Sequence, residues 1–266
     1  LAAARAGRSA LVIAPTGGGK TLAGFLPSLT ELAERADRPC PHTLYISPLK
    51  ALATDIARNL ETPVREIGLD VRVETRTGDT PQNRRRRQRE RPPHILLTTP
   101  ESLALLLAYP DAGDYFAGLT RVVVDELHAL VPNKRGQLLG LGIARLRRLA
   151  PGLQVVGLSA TVAEPERLRD WLDHPDAPAG VIERRDGAAP SIELLLAERH
   201  MPWSGHFGVY AADELYGAIR AHGVTLVFTN TRSQAEIIFQ ALWRLNDDHL
   251  PIALHHGSLE IDQRRK

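Results

Sequence analysis

The chain has 266 residues, enough for one large or two modest domains, and its 24% charged and 43% hydrophobic content is that of an ordinary globular protein. The single cysteine, Cys40, excludes an internal disulfide and a cysteine-based zinc site. No apolar run reaches the length of a membrane span, and residues 1–8 lack the apolar core of a signal peptide. We therefore expect a cytoplasmic protein with no membrane partner.

The net charge is only +2, but 29 of the 33 basic residues are arginine. Arginine pairs bidentately with phosphate, which favours a nucleic-acid partner. A GC-rich genome would produce the same bias. Composition leaves both explanations open.

Strand-like and helix-like runs alternate along the first two thirds of the chain, which predicts an α/β fold, a parallel sheet with helices on both faces. Strands are predicted at residues 9–14, 43–47, 71–75, 94–98, 121–125, 154–158 and 180–184. Helices are predicted at residues 21–35, 50–67, 101–109 and 136–149. Pro100 suits the first turn of the third of these helices.

Proline, glycine and alanine accumulate between residues 173 and 190, which indicates a domain boundary. We predict a first domain at 1–185, a linker at 186–210 and the beginning of a second domain at 211–266. In this second part, strands are predicted at 192–198, 224–229 and 252–255, and helices at 211–222 and 233–245.

A glycine-rich segment closes the first predicted strand and opens the first long helix. In this setting glycines let the backbone wrap around a polyphosphate, and the helix offers its positive N-terminus to the same anion. The lysine would reach the β- and γ-phosphates of ATP, and the following hydroxyl would bind Mg²⁺. The alternative is a plain glycine turn. The predicted ATP-binding residues are Thr16, Gly17, Gly18, Gly19, Lys20 and Thr21.

Two acids, Asp125 and Glu126, follow a strand with three consecutive valines, a pattern typical of a parallel strand buried on both faces. The carboxyl ends of such strands form the ligand-binding edge of the sheet. We predict that Asp125 holds Mg²⁺ together with Thr21, and that Glu126 activates the attacking water, with Lys20 as the third catalytic residue. Alone, this motif would be read as a solvated acidic turn.

Further short polar motifs also follow predicted strands. Ser159 and Thr161 could hydrogen-bond the acidic motif and sense the nucleotide, although Thr161 and Glu164 also have capping-box spacing. Three other strand ends carry hydroxyls, helix N-termini and cations, which suit phosphates better than base edges. Capped loops are the alternative at each of them. The predicted nucleic-acid contacts there are Ser47, Pro48, Lys50, Thr77, Gly78, Thr99, Pro100 and Glu101.

Two basic or histidine-bearing segments remain. Residues 84–91 contain six arginines, which indicates a solvated basic face or a contact with a nucleic-acid backbone. His255 and His256 resemble a metal pair, but strand neighbours point to opposite faces, so metal binding is disfavoured. Nucleic-acid contacts are also predicted at Thr229, Asn230, Arg232, His256 and Gly257.

Taken in order, these motifs resemble those of superfamily 2 helicases with two RecA-like lobes. Residues 17–21 resemble motif I, 47–52 motif Ia, 99–101 motif Ic, 125–128 motif II in its DExH form, 159–161 motif III and 228–232 motif IV. The strings at residues 45–52, 76–80, 97–102 and 226–232 resemble the large helicase-related (Lhr) family, most closely its ligase-associated DNA damage response subgroup.

The resemblance implies ATP-driven 3′-to-5′ movement on single-stranded DNA, a role in repair, and coupling through His128, Ser159 and Thr161. An RNA helicase, or a nucleic-acid binding module without turnover, is the alternative. The adenine-recognising segment and motifs V and VI are not in the sequence, which starts without methionine and stops at Lys266 in a helix-like run. We therefore expect both ends to be cut and this chain alone to be inactive.

Overall fold

The computed structural model describes residues 2–15, 17–34, 41–160, 162–173, 178–184, 191–197 and 208–259. The chain divides into two compact units, Leu1–Ala188 and Ala189–Lys266. Thr16 and Thr161, both predicted site residues, lie outside the described residues. No helix in the described ranges is long and apolar enough to cross a membrane.

The first unit is built on a seven-stranded sheet in which every pairing is parallel, with the order β3-β4-β2-β5-β6-β1-β7. The strands are β1 (Ala10–Ile13), β2 (Thr43–Ile46), β3 (Val73–Arg76), β4 (Ile95–Thr98), β5 (Arg121–Val124), β6 (Gln154–Ser159) and β7 (Gly180–Glu183). All seven predicted strands of this unit are present. The third lies slightly later than predicted, at Val73–Arg76.

The helices cover both faces of the sheet, as predicted. They are α1 (Ala2–Arg5), α2 (Lys20–Glu34), α3 (Lys50–Glu66), α4 (Gln82–Glu90), α5 (Pro100–Leu107), α6 (Ala112–Phe116), α7 (Leu127–Leu130), α8 (Lys134–Leu149) and α9 (Pro165–Leu172). Alternate strand residues face opposite sides. Val122 and Val124 pack in the cluster formed with α5, α6, α8 and α9, whereas Val123 packs in the cluster formed with α2 and α3. The fold is therefore α/β and RecA-like, with one core on each side of a buried sheet.

A buried arginine anchors the amino end of the sheet, opposite the predicted site. Arg121, at the start of β5, is fully buried. Its guanidinium donates to both carboxylate oxygens of Glu31 at 2.8 and 3.3 Å and to the Gln154 side-chain oxygen at 2.7 Å. A further bond reaches the Ser28 hydroxyl at 2.9 Å. Because a buried charge is costly unless it is paired, this network is what allows an arginine inside the core.

The second unit departs from the predicted pattern. Its helices are α10 (Ala212–Ala221) and α11 (Arg232–Leu245), preceded by a 3₁₀ turn at Val209–Ala211. In the parts of residues 191–197 and 208–259 predicted as strands, no strand is formed, so the predictions for 192–198, 224–229 and 252–255 are wrong for the residues described. A strand requires a ladder of backbone hydrogen bonds with a neighbour. Here the apolar side chains that suggested the strands stay exposed, with Val224 at 89% and Phe228 at 90%.

Candidate nucleotide-binding site

The glycine-rich segment between β1 and α2 forms a tight loop in which each glycine has its own steric reason. Gly17 and Gly19 have φ values of +80° and +76°, which side chains rarely adopt. A Cβ on Gly18 would lie 2.9 Å from the Pro15 carbonyl oxygen. Helix α2 begins at Lys20, directly after the loop. A backbone curled at the start of a helix is the arrangement that accepts a phosphate.

Lys20 lies over this loop. Its ammonium donates to the carbonyl oxygens of Ala14 at 2.7 Å and Pro15 at 3.0 Å. These bonds hold the positive charge beside the glycines. Their acceptors are neutral carbonyls, whereas a phosphate oxygen is charged and would add a direct attraction between opposite charges.

Asp125 lies at the carboxyl end of β5 with both carboxylate oxygens engaged. One oxygen accepts from the Tyr45 hydroxyl at 2.5 Å, and the other accepts from the Glu126 backbone N–H at 2.9 Å. Burial raises the pKa of Tyr45 above its usual value, and the charge of Asp125 raises it further. The Tyr45 hydroxyl therefore stays protonated as a donor. Thr21 opposes this rise in the pKa, so the two predicted magnesium ligands both lie near the Tyr45 hydroxyl.

Glu126 has a strained backbone. Its φ of 47° and ψ of 46° lie in the left-handed region, which non-glycine residues seldom occupy. Such a conformation costs on the order of 1 kcal/mol and tends to occur at functional sites. The side chain is about one-third exposed. The turn thus directs a carboxylate away from the buried strand and toward the strand-end edge.

A polar chain connects Glu126 to the end of β6. The Glu126 carboxylate lies 3.3 Å from His128 Nε2, and His128 Nδ1 lies 3.0 Å from the Ser159 hydroxyl oxygen. Ser159 donates its own proton to the Ala160 carbonyl at 2.9 Å. Which of His128 and Ser159 donates in their shared bond is set by the tautomer of His128. The structure brings the acidic motif and Ser159 together, as the sequence predicted.

Mg²⁺ fits the groups gathered here. It prefers hard oxygen ligands and is commonly held by one or two carboxylates, phosphate oxygens and waters rather than by a full protein cage. Thr21, Asp125 and Glu126 supply such oxygens at one edge. Among the described residues there is no group of three or more His, Cys, Asp or Glu that could hold a metal by itself, which includes the neighbourhood of His255 and His256.

The strand-end segments differ in accessibility. Lys50 is half exposed and pairs with Asp79 at 2.9 Å, beside Gly78. Ser47 is buried, and its hydroxyl donates to the Leu49 carbonyl. Thr99 is also buried and caps α5 by accepting from the Ser102 N–H. Direct phosphate contact by Ser47 or Thr99 therefore stays a prediction, and their observed bonds are those of capped loops.

The remaining residues of the α5 segment are held by α8. Pro100 is the first residue of α5, as predicted. Glu101 makes a bidentate ion pair with Arg135, at 2.5 and 3.1 Å. The hydrogen bond from Arg135 holds the pKa of Glu101 below its usual value. A carboxylate fixed in this way attaches the helix start to α8.

In the second unit, the two segments predicted to contact nucleic acid lie side by side. Arg232 donates to the Ser258 hydroxyl at 2.5 Å, and its guanidinium approaches Gly257. His256 lies 3.0 Å from a carboxylate oxygen of Glu236. The Thr229 hydroxyl donates to the Thr231 carbonyl, and the Asn230 N–H donates to Gln234. Their contact with nucleic acid stays a prediction.

Sequence reasoning missed Tyr45. The signal was a hydroxyl-bearing aromatic within an otherwise apolar strand, because a buried tyrosine hydroxyl usually has a partner. Its ring stacks on Phe25 with centroids 4.8 Å apart, which fixes the direction of the hydroxyl.

With this geometry in place, comparison with known proteins identifies the family. The sequence profile of the DEAD/DEAH box helicases matches residues 1–168, which contain the loop at Lys20, Asp125–Glu126 and Ser159. The chain belongs to the DEAD/DEAH box helicase family. This agrees with the superfamily 2 resemblance of the motifs, and ATP-dependent helicases are the enzymes of this family.

Within this helicase family, the chain is similar to Lhr proteins. It is 36% identical to the ATP-dependent helicase Lhr-Core of Methanothermobacter thermautotrophicus over 97% of this chain and 32% of that protein. It is 38% identical to the Lhr helicase/probable uracil glycosylase of Mycolicibacterium smegmatis over 91% of this chain and 17% of that protein. The structure of Mycobacterium smegmatis helicase Lhr bound to ssDNA and AMP-PNP matches with a TM-score of 0.78 and 35% identity, covering 99% of this chain and 36% of that one. The chain thus spans about a third or less of the curated relatives it matches.

Proposed function

We propose that this chain is part of an ATP-dependent DNA helicase of the Lhr group that hydrolyses ATP to move on single-stranded DNA. The observation that carries the proposal is that the glycine loop with Lys20 over it and the carboxylate of Asp125, which Tyr45 holds, lie at the carboxyl ends of two strands of the same parallel sheet. The similarity to Lhr proteins supports the choice of group. A cytoplasmic role in DNA repair, within the ligase-associated subgroup, completes the proposal.

In the proposed reaction, the loop residues Gly17–Gly19 wrap the triphosphate and Lys20 exchanges its carbonyl partners for phosphate oxygens. Mg²⁺, held by Thr21 and Asp125, would neutralise phosphate charge. Glu126 orients the attacking water and takes up its proton, since its carboxylate is directed to the strand-end edge. Tyr45 keeps Asp125 in one orientation.

Coupling to nucleic acid would pass through the chain from Glu126 by way of His128 to Ser159. A shift at Ser159 would change the position of His128 and hence the surroundings of Glu126. Thr161 belongs to the same proposal. The contact surface would comprise Lys50, Thr77 and Gly78 with the loop before α5, and the second unit would add the segments around Arg232 and Gly257.

Phosphate contacts through one strand do not exclude RNA, because a protein distinguishes the two mainly at the 2′-hydroxyl. An RNA helicase is therefore the second candidate. The solved Lhr structure with bound ssDNA favours DNA. Competition between matched single-stranded DNA and RNA oligonucleotides tests the choice, and a preference for RNA would overturn it.

The hydrolytic assignment is tested in the protein that contains this chain. Glu126→Gln should retain MgATP binding and lose hydrolysis, by about a hundredfold or more, because an amide keeps the shape but takes up no proton. Lys20→Ala should weaken MgATP binding, because it removes a charge-assisted contact. Glu166→Gln and Lys134→Ala are matched controls on exposed helix positions.

ATPase rate and nucleotide affinity are measured for all four variants. A Glu126→Gln protein that hydrolyses ATP at the parent rate would overturn the role of Glu126. For this chain in isolation, which spans about a third of its relatives, we propose binding without turnover.

A further inference from the structure

A small pocket lies beside the strand-end surface, between the end of β3, α4 and α5. Its volume is about 300 Å³, and its lining includes two arginines, Arg76 and Arg85, with the polar side chains of Thr77, Ser102 and Tyr109. Thr77 belongs both to this pocket and to the surface next to Lys50. The pocket is therefore continuous with the proposed path of the nucleic acid.

Arg76 is a buried cation with no acid to balance it. The residue is 3% exposed, and its guanidinium donates to the backbone carbonyl of Arg85 at 3.0 Å. It also lies 6.0 Å from the centre of the Tyr109 ring. Within the described part of the chain no carboxylate forms an ion pair with it. Burial lowers the pKa of the Arg76 guanidinium, a shift that Tyr115 and Tyr109 oppose.

Arg85 carries an unused donor next to this charge. Its Nη2 donates to the backbone carbonyls of Thr77 at 3.2 Å and Gly78 at 2.7 Å. Its Nε is buried and has no hydrogen-bond partner. A buried donor without an acceptor costs about 1–3 kcal/mol, so such a group calls for an explanation.

The other arginines of α4 show that this lack of an acid is specific to the pocket. Arg84 and Arg87 pair with Glu74, Arg86 pairs with Glu90, and Arg89 pairs with Asp111. Acidic partners are thus present for the arginines on the other sides of α4. Among the described ion pairs, none involves Arg76 or Arg85, the two arginines that line the pocket. Hydroxyl groups are supplied instead. Ser102 accepts from the Thr99 hydroxyl, which leaves the Ser102 proton for another acceptor.

We infer that this pocket binds a phosphate group, and that its occupant is a backbone phosphodiester of the single-stranded nucleic acid that crosses the Lys50 and Thr77 surface. One anion would lie against two neighbouring guanidiniums, offset half of their positive charge, and accept from Arg85 Nε and from the hydroxyls. The planar fork of arginine matches phosphate geometry. This inference rests on the proposed function for the nucleic acid, and adds Arg76 and Arg85 to the contact already predicted at Thr77.

The test measures single-stranded DNA affinity at several salt concentrations for the protein that contains this chain. Arg85→Met should weaken binding about tenfold at low salt for all sequences, because a phosphate contact carries no base information. It should also lower the slope of log affinity against log salt by about 0.7, the value for one contact on a single strand. Arg86→Met is the matched control, since it removes an exposed arginine from the next position of the same helix.

An oligonucleotide with one neutral methylphosphonate linkage, moved along the strand, gives a second readout. At one position of the strand, the neutral linkage should weaken DNA binding by the parent protein. At the same position it should not change DNA binding by Arg85→Met. If Arg85→Met does not fold, Arg85→Lys replaces it in the test. This variant keeps the positive charge but loses the planar guanidinium, so its DNA affinity should be lower than that of the parent by less than about tenfold. Equal affinity and slope in the Arg85 and Arg86 variants would overturn the inference.

Two further outcomes are informative. Inorganic phosphate or a nucleoside monophosphate that binds the parent through Arg85, while DNA affinity is unchanged in Arg85→Met, would replace the nucleic-acid occupant with a small phosphate ligand and so overturn the inference. A parent protein that does not bind single-stranded DNA at all would instead overturn the proposed function. The two failures are therefore distinguishable.

Discussion

Replacement of Arg121 by alanine should destabilise the sheet far more than replacement of an exposed arginine. Arg121 is fully buried, and its loss would remove the guanidinium bonds to the Glu31 carboxylate and to the Gln154 amide oxygen, leaving His42 Nε2, at 3.1 Å, as a remaining neighbour of Glu31. Removal of one partner of a buried ion pair costs about 3–5 kcal/mol. The Glu31 side chain is 24% exposed, so we take the lower limit, about 3 kcal/mol.

Arg86→Ala is the matched control. Its side chain is 82% exposed and pairs with Glu90 one turn away on α4. Such an exposed pair contributes little to stability, because water and salt screen both charges. The two substitutions remove the same kind of side chain and one ion pair each, and they differ in burial. The expected difference in the free energy of opening is therefore close to the cost of breaking the buried pair, about 3 kcal/mol.

The assay is hydrogen exchange of backbone amides in β5 and β6, which reports the free energy of opening this sheet. Exchange in Arg121→Ala should be faster than in the parent by about a hundredfold, since each 1.4 kcal/mol is a factor of ten. The double variant Arg121→Met with Glu31→Leu should recover much of the loss, because neither charge remains buried. Equal exchange in the Arg121 and Arg86 alanine variants would refute the reasoning.

Two more predictions concern the site and the acid limit of stability. Tyr45→Phe removes the donor to Asp125 but keeps the ring stacked on Phe25, and should lower ATP hydrolysis by about tenfold, the usual effect of losing a group that orients a metal ligand; a rate within twofold of the parent would contradict the positioning role. Burial raises the pKa of Glu74, but the hydrogen bonds from Gln88 and Arg87 lower it by more than burial raises it. The pKa therefore lies below its usual value of 4.5. The stability it contributes is therefore present above pH 4.5 and lost as the pH falls through the folded pKa, and Glu74→Gln should flatten the fall of the melting temperature with pH in that acid range.

The sheet of the first unit could be predicted because its strands are buried on both faces and read as continuous apolar runs. Residues 122–124, all valine, are the clearest case. The tight glycine loop before α2 was predictable for a similar reason, since Gly17 and Gly19 adopt backbone angles that other residues avoid; its binding of phosphate stays a prediction. A feature can be predicted from the sequence where its local conformation or burial restricts which residue types fit.

The features that were not predicted depend on distant partners. Tyr45 and Asp125 are eighty positions apart, and their hydrogen bond exists because β2 and β5 are neighbours in the sheet. The unpaired donor of Arg85 likewise follows from the packing of α4, and the arginine run alone gives no sign of which members have acids. The exposed runs of the second unit show the converse, because a strand pattern without a ladder of backbone hydrogen bonds forms no strand.

The strand order of the first unit also sets the distance between the two halves of the candidate site. β6 lies between β1 and β5, so the loop that precedes Lys20 and the strand end at Asp125 are two interstrand spacings apart, roughly 9.6 Å. That distance is set by backbone hydrogen bonds, which side-chain substitutions leave in place. Substitutions of side chains can therefore change which groups face the gap between these two strand ends. The width of the gap is set by the backbone of the sheet and stays the same. Attempts to change the proposed hydrolysis should alter the residues at the strand ends, and repacking of the strands themselves should leave the width of this gap unchanged.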